Sequence, residues 1–181
     1  NTIIDGTVEV NTNWEPYNLN GNQVYKAYLD MGQISKRANT KIDTIYGVFV
    51  NDRYMIPAMP VNFKNPTDFT DGNKDNLEPN TVFSVDHGGA PYAGGYEPGD
   101  LANLDTLEEY GFDKNTNILY IYPGNDIPDS TNVRVRVRTY SLYLHNSDNI
   151  TFNNLHFYSG AVFSRDASYI TFKNSSFSHS W

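Results

Sequence analysis

Ile150-Thr151-Phe152-Asn153-Asn154-Leu155-His156-Phe157 returns twenty positions later as Ile170-Thr171-Phe172-Lys173-Asn174-Ser175-Ser176-Phe177. Laid over residues 162–180, residues 142–160 share five identities: Ile150/Ile170, Thr151/Thr171, Phe152/Phe172, Asn154/Asn174 and Phe157/Phe177. Leu142 falls on Val162 and Asn146 on Asp166. Inside each copy the apolar residues alternate, the period of a strand. The alternation breaks at Asn153-Asn154, where a corner is expected. A strand, a corner, a strand and a return in about 20 residues reads as one coil of a right-handed parallel β-helix. Such a coil cannot bury its apolar side alone. Stacked coils would set Ile150 on Ile170 and Phe152 on Phe172 as an inward column, with Asn154 over Asn174 as an amide ladder. The competing reading is two similar hairpins of a sandwich, because the offset occurs once and a solenoid needs about three or more units.

The rest of the composition bounds the function. A chain of 181 residues fits one domain, or one domain and part of another. Its 14 Tyr and 10 Phe argue against disorder. No apolar run approaches the roughly 20 residues of a membrane span, and the lack of Cys excludes a disulfide scaffold without choosing a compartment. The net charge of −8 argues against nucleic acid as a partner. All of it lies in residues 1–140, because in 141–181 Arg165 and Lys173 balance Asp148 and Asp166. With 23 Asn, the chain should be rich in tight turns. Residues Thr2–Val10 read as strand, turn and strand, and the patterned segment runs to Trp181, so a piece of a longer chain is expected.

These features divide the chain into strands preceding an insert (1–10), an inserted β-rich module (11–139) and two coils (140–181). In the module, Val48-Phe49-Val50, Val82-Phe83-Ser84-Val85 and Ile118-Leu119-Tyr120-Ile121-Tyr122 are short strand-like runs. Val133-Arg134-Val135-Arg136-Val137-Arg138 alternates strictly, which points Val to a core and Arg outward. The one helix expected spans Asp100–Tyr110, with Leu101, Leu104 and Leu107 at a spacing of three and Gly111 as terminator. The module therefore reads as β-sandwich-like with one short helix.

The phrase Ser147-Asp148-Asn149-Ile150-Thr151-Phe152-Asn153-Asn154-Leu155-His156-Phe157 resembles the coil consensus of the pectate-lyase-like superfamily of polysaccharide lyases, glycoside hydrolases and phage tailspikes. Ile45–Met55 with Ala58–Phe63, and Tyr110–Pro123, resemble stretches of bacterial β-helix glycosidases in which a β-module interrupts the helix near its start. Met59 stands where that group has Arg, Val61 is an extra residue, and Phe112 replaces a Trp. The resemblance implies an all-β fold, a partial right-handed parallel β-helix with an inserted module. It also implies a secreted, extracellular or periplasmic protein whose parent cleaves a complex or acidic polysaccharide by hydrolysis or β-elimination. The catalytic cleft in that group lies along later coils, so the isolated chain is expected to be inactive. The alternatives are a β-helical fibre, tailspike or adhesin that self-associates end to end, and a glycan-binding module without catalysis.

Candidate sites follow from residue chemistry. Elimination needs a base beside positive charge, and hydrolysis needs two flanking carboxylates. Arg165, Asp166, His145, His156, His179 and Trp181 belong to the coils or their corners. Arg134, Arg136 and Arg138, about 7 Å apart along one strand face, could track a uronate or sulfated glycan or pair with acids of a neighbouring strand. Asp71, Asn73 and Asp75 have the alternate spacing of a calcium loop, although Asn76 and Val82 stand at its Gly and Glu positions. A solvated acidic loop is the simpler reading. Asn149-Ile150-Thr151 and Asn174-Ser175-Ser176 are glycosylation sequons.

Overall fold

The computed structural model describes residues 2–58 and 101–179. They form an all-β protein with one short helix. In chain order the strands are β1 (Thr2–Asp5), β2 (Thr7–Glu9), β3 (Glu15–Leu19), β4 (Asn22–Tyr28), β5 (Val48–Val50), β6 (Arg53–Pro57), β7 (Glu109–Asp113) and β8 (Ile118–Tyr122). They continue with β9 (Val133–Arg136), β10 (Tyr140–His145), β11 (Thr151–Asn153), β12 (Leu155–Tyr158), β13 (Ala161–Arg165), β14 (Thr171–Lys173) and β15 (Ser176–Ser178).

The repeat appears as parallel pairing with a constant step. β10 pairs with β13 (Tyr143 beside Phe163), β11 with β14 (Phe152 beside Phe172), and β12 with β15 (Phe157 beside Phe177), all twenty residues apart. β1 adds to the other edge of β12, also parallel, with Ile4 beside Phe157. The corners repeat too. Asn146 and Asp166, Asn149 and Tyr169, Asn154 and Asn174, and Ser159 and His179 all take left-handed φ values between 49° and 60°. Asn reaches this region because its amide compensates locally for the Cβ clash. Between the corners, ring lies on ring. Phe152 and Phe172 stack at 5.0 Å and Phe157 and Phe177 at 5.0 Å, with Phe157 edge-on to Phe172 at 5.8 Å. Phe157 is fully buried. The expected Asn154–Asn174 amide ladder is replaced by a bond from Asn174 Nδ2 to Asn153 Oδ1 (3.2 Å), while the Asn154 N–H donates to the Lys173 carbonyl (2.9 Å). Both corner asparagines are exposed, so the backbone ladder rather than the side chains holds that corner.

At Gly6 the chain leaves these ladders for a second sheet. The Gly6 N–H donates to the Tyr158 carbonyl (2.9 Å), and its own carbonyl accepts from Val137 N–H (2.9 Å). An added Cβ would lie 1.9 Å from the Ser159 carbonyl oxygen, so only glycine passes here. Residues 7–9, expected with the coil part, therefore belong to a curled eight-stranded sheet of order β2-β9-β5-β6-β7-β8-β4-β3. Its pairings are antiparallel except β6 with β7. The described part of the module is thus one curled sheet, not two stacked sheets of a sandwich, because β7 continues the sheet edge beside β6.

The concave core contains Val48, Val50, Met55, Tyr110, Leu119, Ile121, Val133 and Val135, closed by helix α1 (Met31–Ala38). Asp30 caps the helix by accepting from Gln33 N–H (3.0 Å), Asn39 ends it in the left-handed region, and Ile34 and Ala38 face the core. The helix expected over Asp100–Tyr110 does not form. Within it, Leu101–Asn103 makes a single 3₁₀ turn and Glu109–Tyr110 is strand. Leu104 is buried whereas Leu107 is exposed, so the leucine spacing marks no common face. Glu108 at φ +70° breaks any helix before β7.

Candidate functional site

Two clusters gather the sequence-predicted residues. The first is the outward face of β10 and β13. Successive outward residues lie about 7 Å apart along each strand. Tyr143 stacks on Phe163 at 5.2 Å, and Tyr140 packs against both at 5.6 and 5.3 Å. Tyr143 is 52% exposed and Phe163 37%, an aromatic platform facing water. The next outward pair is His145 and Arg165. Asp166 at the corner lies 3.5 Å from His145 Nε2 and 3.4 Å from Arg165 Nε. All three are largely solvated, so their attraction is worth little to stability and leaves them available to a ligand.

The second cluster lies where the curled sheet meets β12 and β15. Val133, Val135 and Val137 point into the core as the alternation predicts. Arg134 and Arg136 point the other way, Arg134 toward β1 and β12 and Arg136 toward Gly47 and Tyr54. Arg134 ion-pairs with Asp5, reaches Asp52 at 3.6 Å and lies over the Tyr158 ring at 5.4 Å. This is the pairing with a neighbouring strand's acid that competed with glycan tracking in the sequence. Arg138 falls outside β9 and is exposed, so three arginines in a row reduce to two on the strand.

His179 joins this cluster, which no spacing in the sequence indicates. Its ring meets Phe49 at 5.1 Å and Tyr158 at 5.3 Å and stacks on Tyr54 at 6.4 Å. Burial pushes the Tyr54 hydroxyl up to about 12, against the pull of the nearby Arg136 charge. Burial also pushes Tyr158 up to about 12, helped by the Asp52 charge and opposed by Arg134. Its hydroxyl donates to the Asp52 carbonyl at 3.3 Å. Both phenols therefore stay protonated near neutral pH and serve as hydrogen-bond donors.

His156 belongs to neither cluster. Its two ring nitrogens bridge to Ser176 Oγ (2.7 Å) and Ser178 Oγ (3.1 Å), tying β12 to β15. Asp148 is likewise occupied, accepting from Ser168 N–H at 2.7 Å. Asn149 and Asn174 are both exposed, so neither sequon is hidden. Asp71, Asn73, Asp75 and Trp181 lie outside the described residues. Among the described residues no group of three or more His, Asp or Glu could hold a metal. No helix there is long and apolar enough to cross a membrane. An open groove of about 270 Å³ beside the helix is lined by Glu9, Tyr28, Asp30, Gln33 and Arg37 among others.

The residues missed in the sequence are Tyr143 and Phe163 on the outer face and Phe49, Tyr54 and Tyr158 at the junction. The first pair carried a signal, since aromatic falls on aromatic at the same twenty-residue step. The junction carried none, because its members come from five separate segments. No family model matches the chain, and neither a curated protein nor a solved structure matches it.

Proposed function

We propose that the chain is part of a secreted, carbohydrate-active protein of pectate-lyase-like type, in which the parallel ladders are successive coils of a right-handed β-helix. The whole protein then cleaves a complex or acidic polysaccharide by hydrolysis or β-elimination. The observation that carries this reading is the twenty-residue step kept by three separate ladders and four corners. A strand-to-parallel-strand crossover is right-handed in almost every known case.

The outer face of β10 and β13 supports the glycan part. Aromatic rings offer flat apolar area to a sugar's C–H face, and the adjacent His145, Arg165 and Asp166 supply polar contacts of both signs. Of the two chemistries, elimination is favoured by the junction, where His179, two phenols and two guanidiniums gather. The test is binding and turnover on a panel of neutral, uronate-containing and sulfated polysaccharides. Calorimetry reads binding; new reducing ends and the ultraviolet absorbance of unsaturated uronates separate hydrolysis from elimination. Tyr143→Ala is expected to weaken binding several-fold without unfolding the chain. Absence of binding to every member of the panel overturns the reading.

A second reading, a fibre or adhesin that stacks end to end, is favoured by one contrast. Phe177 is 45% exposed although Phe157, the ring it lies on, is fully buried. Light scattering over a concentration series tests it, with growing filaments as the supporting result.

A further inference from the structure

Asp166 stands at a corner that does not need its charge. One coil earlier the same corner is turned by Asn146, with φ 49° against 51° for Asp166. Asn serves the left-handed region as well as Asp does. Among the described residues the Asp166 carboxylate meets only His145 (3.5 Å) and Arg165 (3.4 Å), and all three side chains are exposed. Ion pairs so open to water add little to stability. Neither the backbone nor the fold calls for this carboxylate, so its main effect falls on whatever approaches from solvent.

Its surroundings grade from apolar to polar. Tyr143 and His145 flank buried Leu144 on β10, so both face outward. Their rings lie 6.4 Å apart, and Tyr143 stacks on Phe163 at 5.2 Å. The flat apolar platform thus adjoins a group that can give and take hydrogen bonds. Arg165 only donates, ionised Asp166 only accepts, and a neutral imidazole does both. Adjacent hydroxyls of a sugar ring donate and accept together, so they satisfy Arg165 and Asp166 at once. A carboxylate or sulfate only accepts. It gains from Arg165 and is repelled by Asp166 beside it, the kind of built-in repulsion that sets specificity.

We propose, resting on the carbohydrate reading above, that Asp166 is the specificity-determining residue of the outer face of β10 and β13. It cancels the Arg165 charge and makes this face a subsite for an uncharged sugar unit. The C–H face of that unit lies on Tyr143 and Phe163, and its adjacent hydroxyls meet Arg165 and Asp166. Acidic units of a mixed polysaccharide are turned away from this position.

The test uses the full 181-residue chain at about pH 8, where free imidazole is neutral. Calorimetry compares neutral gluco-, galacto-, manno- and xylo-oligosaccharides with oligogalacturonate, for the native chain, Tyr143→Ala, Asp166→Asn and the double variant. The part of the binding that Tyr143→Ala removes belongs to this face. In the native chain that part should favour a neutral oligosaccharide over oligogalacturonate. Asp166→Asn, which keeps an acceptor and loses the charge, should lower that preference roughly fivefold, the upper worth of one exposed ion pair. Added salt should restore most of the preference by screening Arg165, and the double variant should show neither effect. The thermal midpoint of Asp166→Asn should match the native one, since Asn146 already turns the equivalent corner. A clear drop in that midpoint would make Asp166 a structural residue and overturn the assignment. An unchanged preference in Asp166→Asn, or a native face that favours the uronate, overturns the assignment while the carbohydrate reading stands. No binding of any oligosaccharide to any of the four chains overturns the carbohydrate reading and the assignment together.

Discussion

Gly6→Ala is the sharpest test of how the two sheets are joined. The new methyl would sit 1.9 Å from the Ser159 carbonyl oxygen and 2.9 Å from its carbon, against the 3.0 Å below which real Cβ contacts essentially never occur. Relief requires the two backbones to part by about 1 Å. Neither can rotate away as a side chain would. Gly6 is held by bonds to Tyr158 and Val137, and Ser159 N–H donates to the Ser178 carbonyl, all at 2.9 Å. A shift of that size takes two of these bonds out of range, at about 1 kcal/mol each. Residual overpacking adds about 1–3 kcal/mol. The expected loss is about 3–5 kcal/mol, a large part of a typical domain's stability. In urea, at a slope of about 2 kcal/mol per molar, the midpoint should drop by roughly 2 M, read by far-ultraviolet circular dichroism. Gly21→Ala is the control. Gly21 has φ +90° and nothing within 4 Å, so only backbone strain of about 1 kcal/mol applies. If Gly6→Ala unfolds no earlier than Gly21→Ala, the Ser159 carbonyl does not lie over Gly6, and the β1–β12 register is wrong.

Other substitutions probe the ladders and the titrating groups. Phe157→Ala should cost about 3–5 kcal/mol, because the ring is fully buried among other rings, whereas Phe177→Ala, 45% exposed, should cost about 1 kcal/mol; paired urea titrations check the difference. Tyr169→Asn should stabilise by about 1 kcal/mol, since Tyr169 is 80% exposed and held at φ +56°, where its Cβ is strained and Asn is not; a higher melting midpoint is the readout. In acid, Asp113 is held below the ordinary carboxylate value by hydrogen bonds from Thr116 and Asn115, and Asp129 by bonds from Thr131. Their contribution is complete above the unfolded value of about 3.9 and is lost as pH falls through the lower folded values. The acid limb of stability against pH should therefore flatten in Asp129→Asn, which keeps the acceptor. In alkali the sign reverses. Tyr54 and Tyr158 ionise only near 12 when folded but about 10 when unfolded, so stability is full below about 10 and falls between the two values. Tyr54→Phe should make that decline shallower in unfolding measured across the range.

The amino-acid pattern alone determined the strands, the corners and the twenty-residue step between them. Period-two alternation and recurrent Asn are local signals, and Ile150 to Phe157 carries both. It also determined that Val133, Val135 and Val137 face a core, because neighbours along one strand must point to opposite sides. The helix at Met31–Ala38 is also written in local signals. Asp30, Lys36-Arg37 and Asn39 mark its ends, and Met31, Ile34 and Ala38 its buried side. The leucines of Asp100–Tyr110 showed a helical spacing that their burial does not honour. Only the tertiary structure decided that β2 leaves the ladders at Gly6. It alone placed Arg134 against Asp5 and brought His179 beside Phe49, Tyr54 and Tyr158. Those contacts join segments up to 130 residues apart across two sheets. Their pairing depends on sheet order and close backbone approach, quantities that periodicity along one strand does not encode.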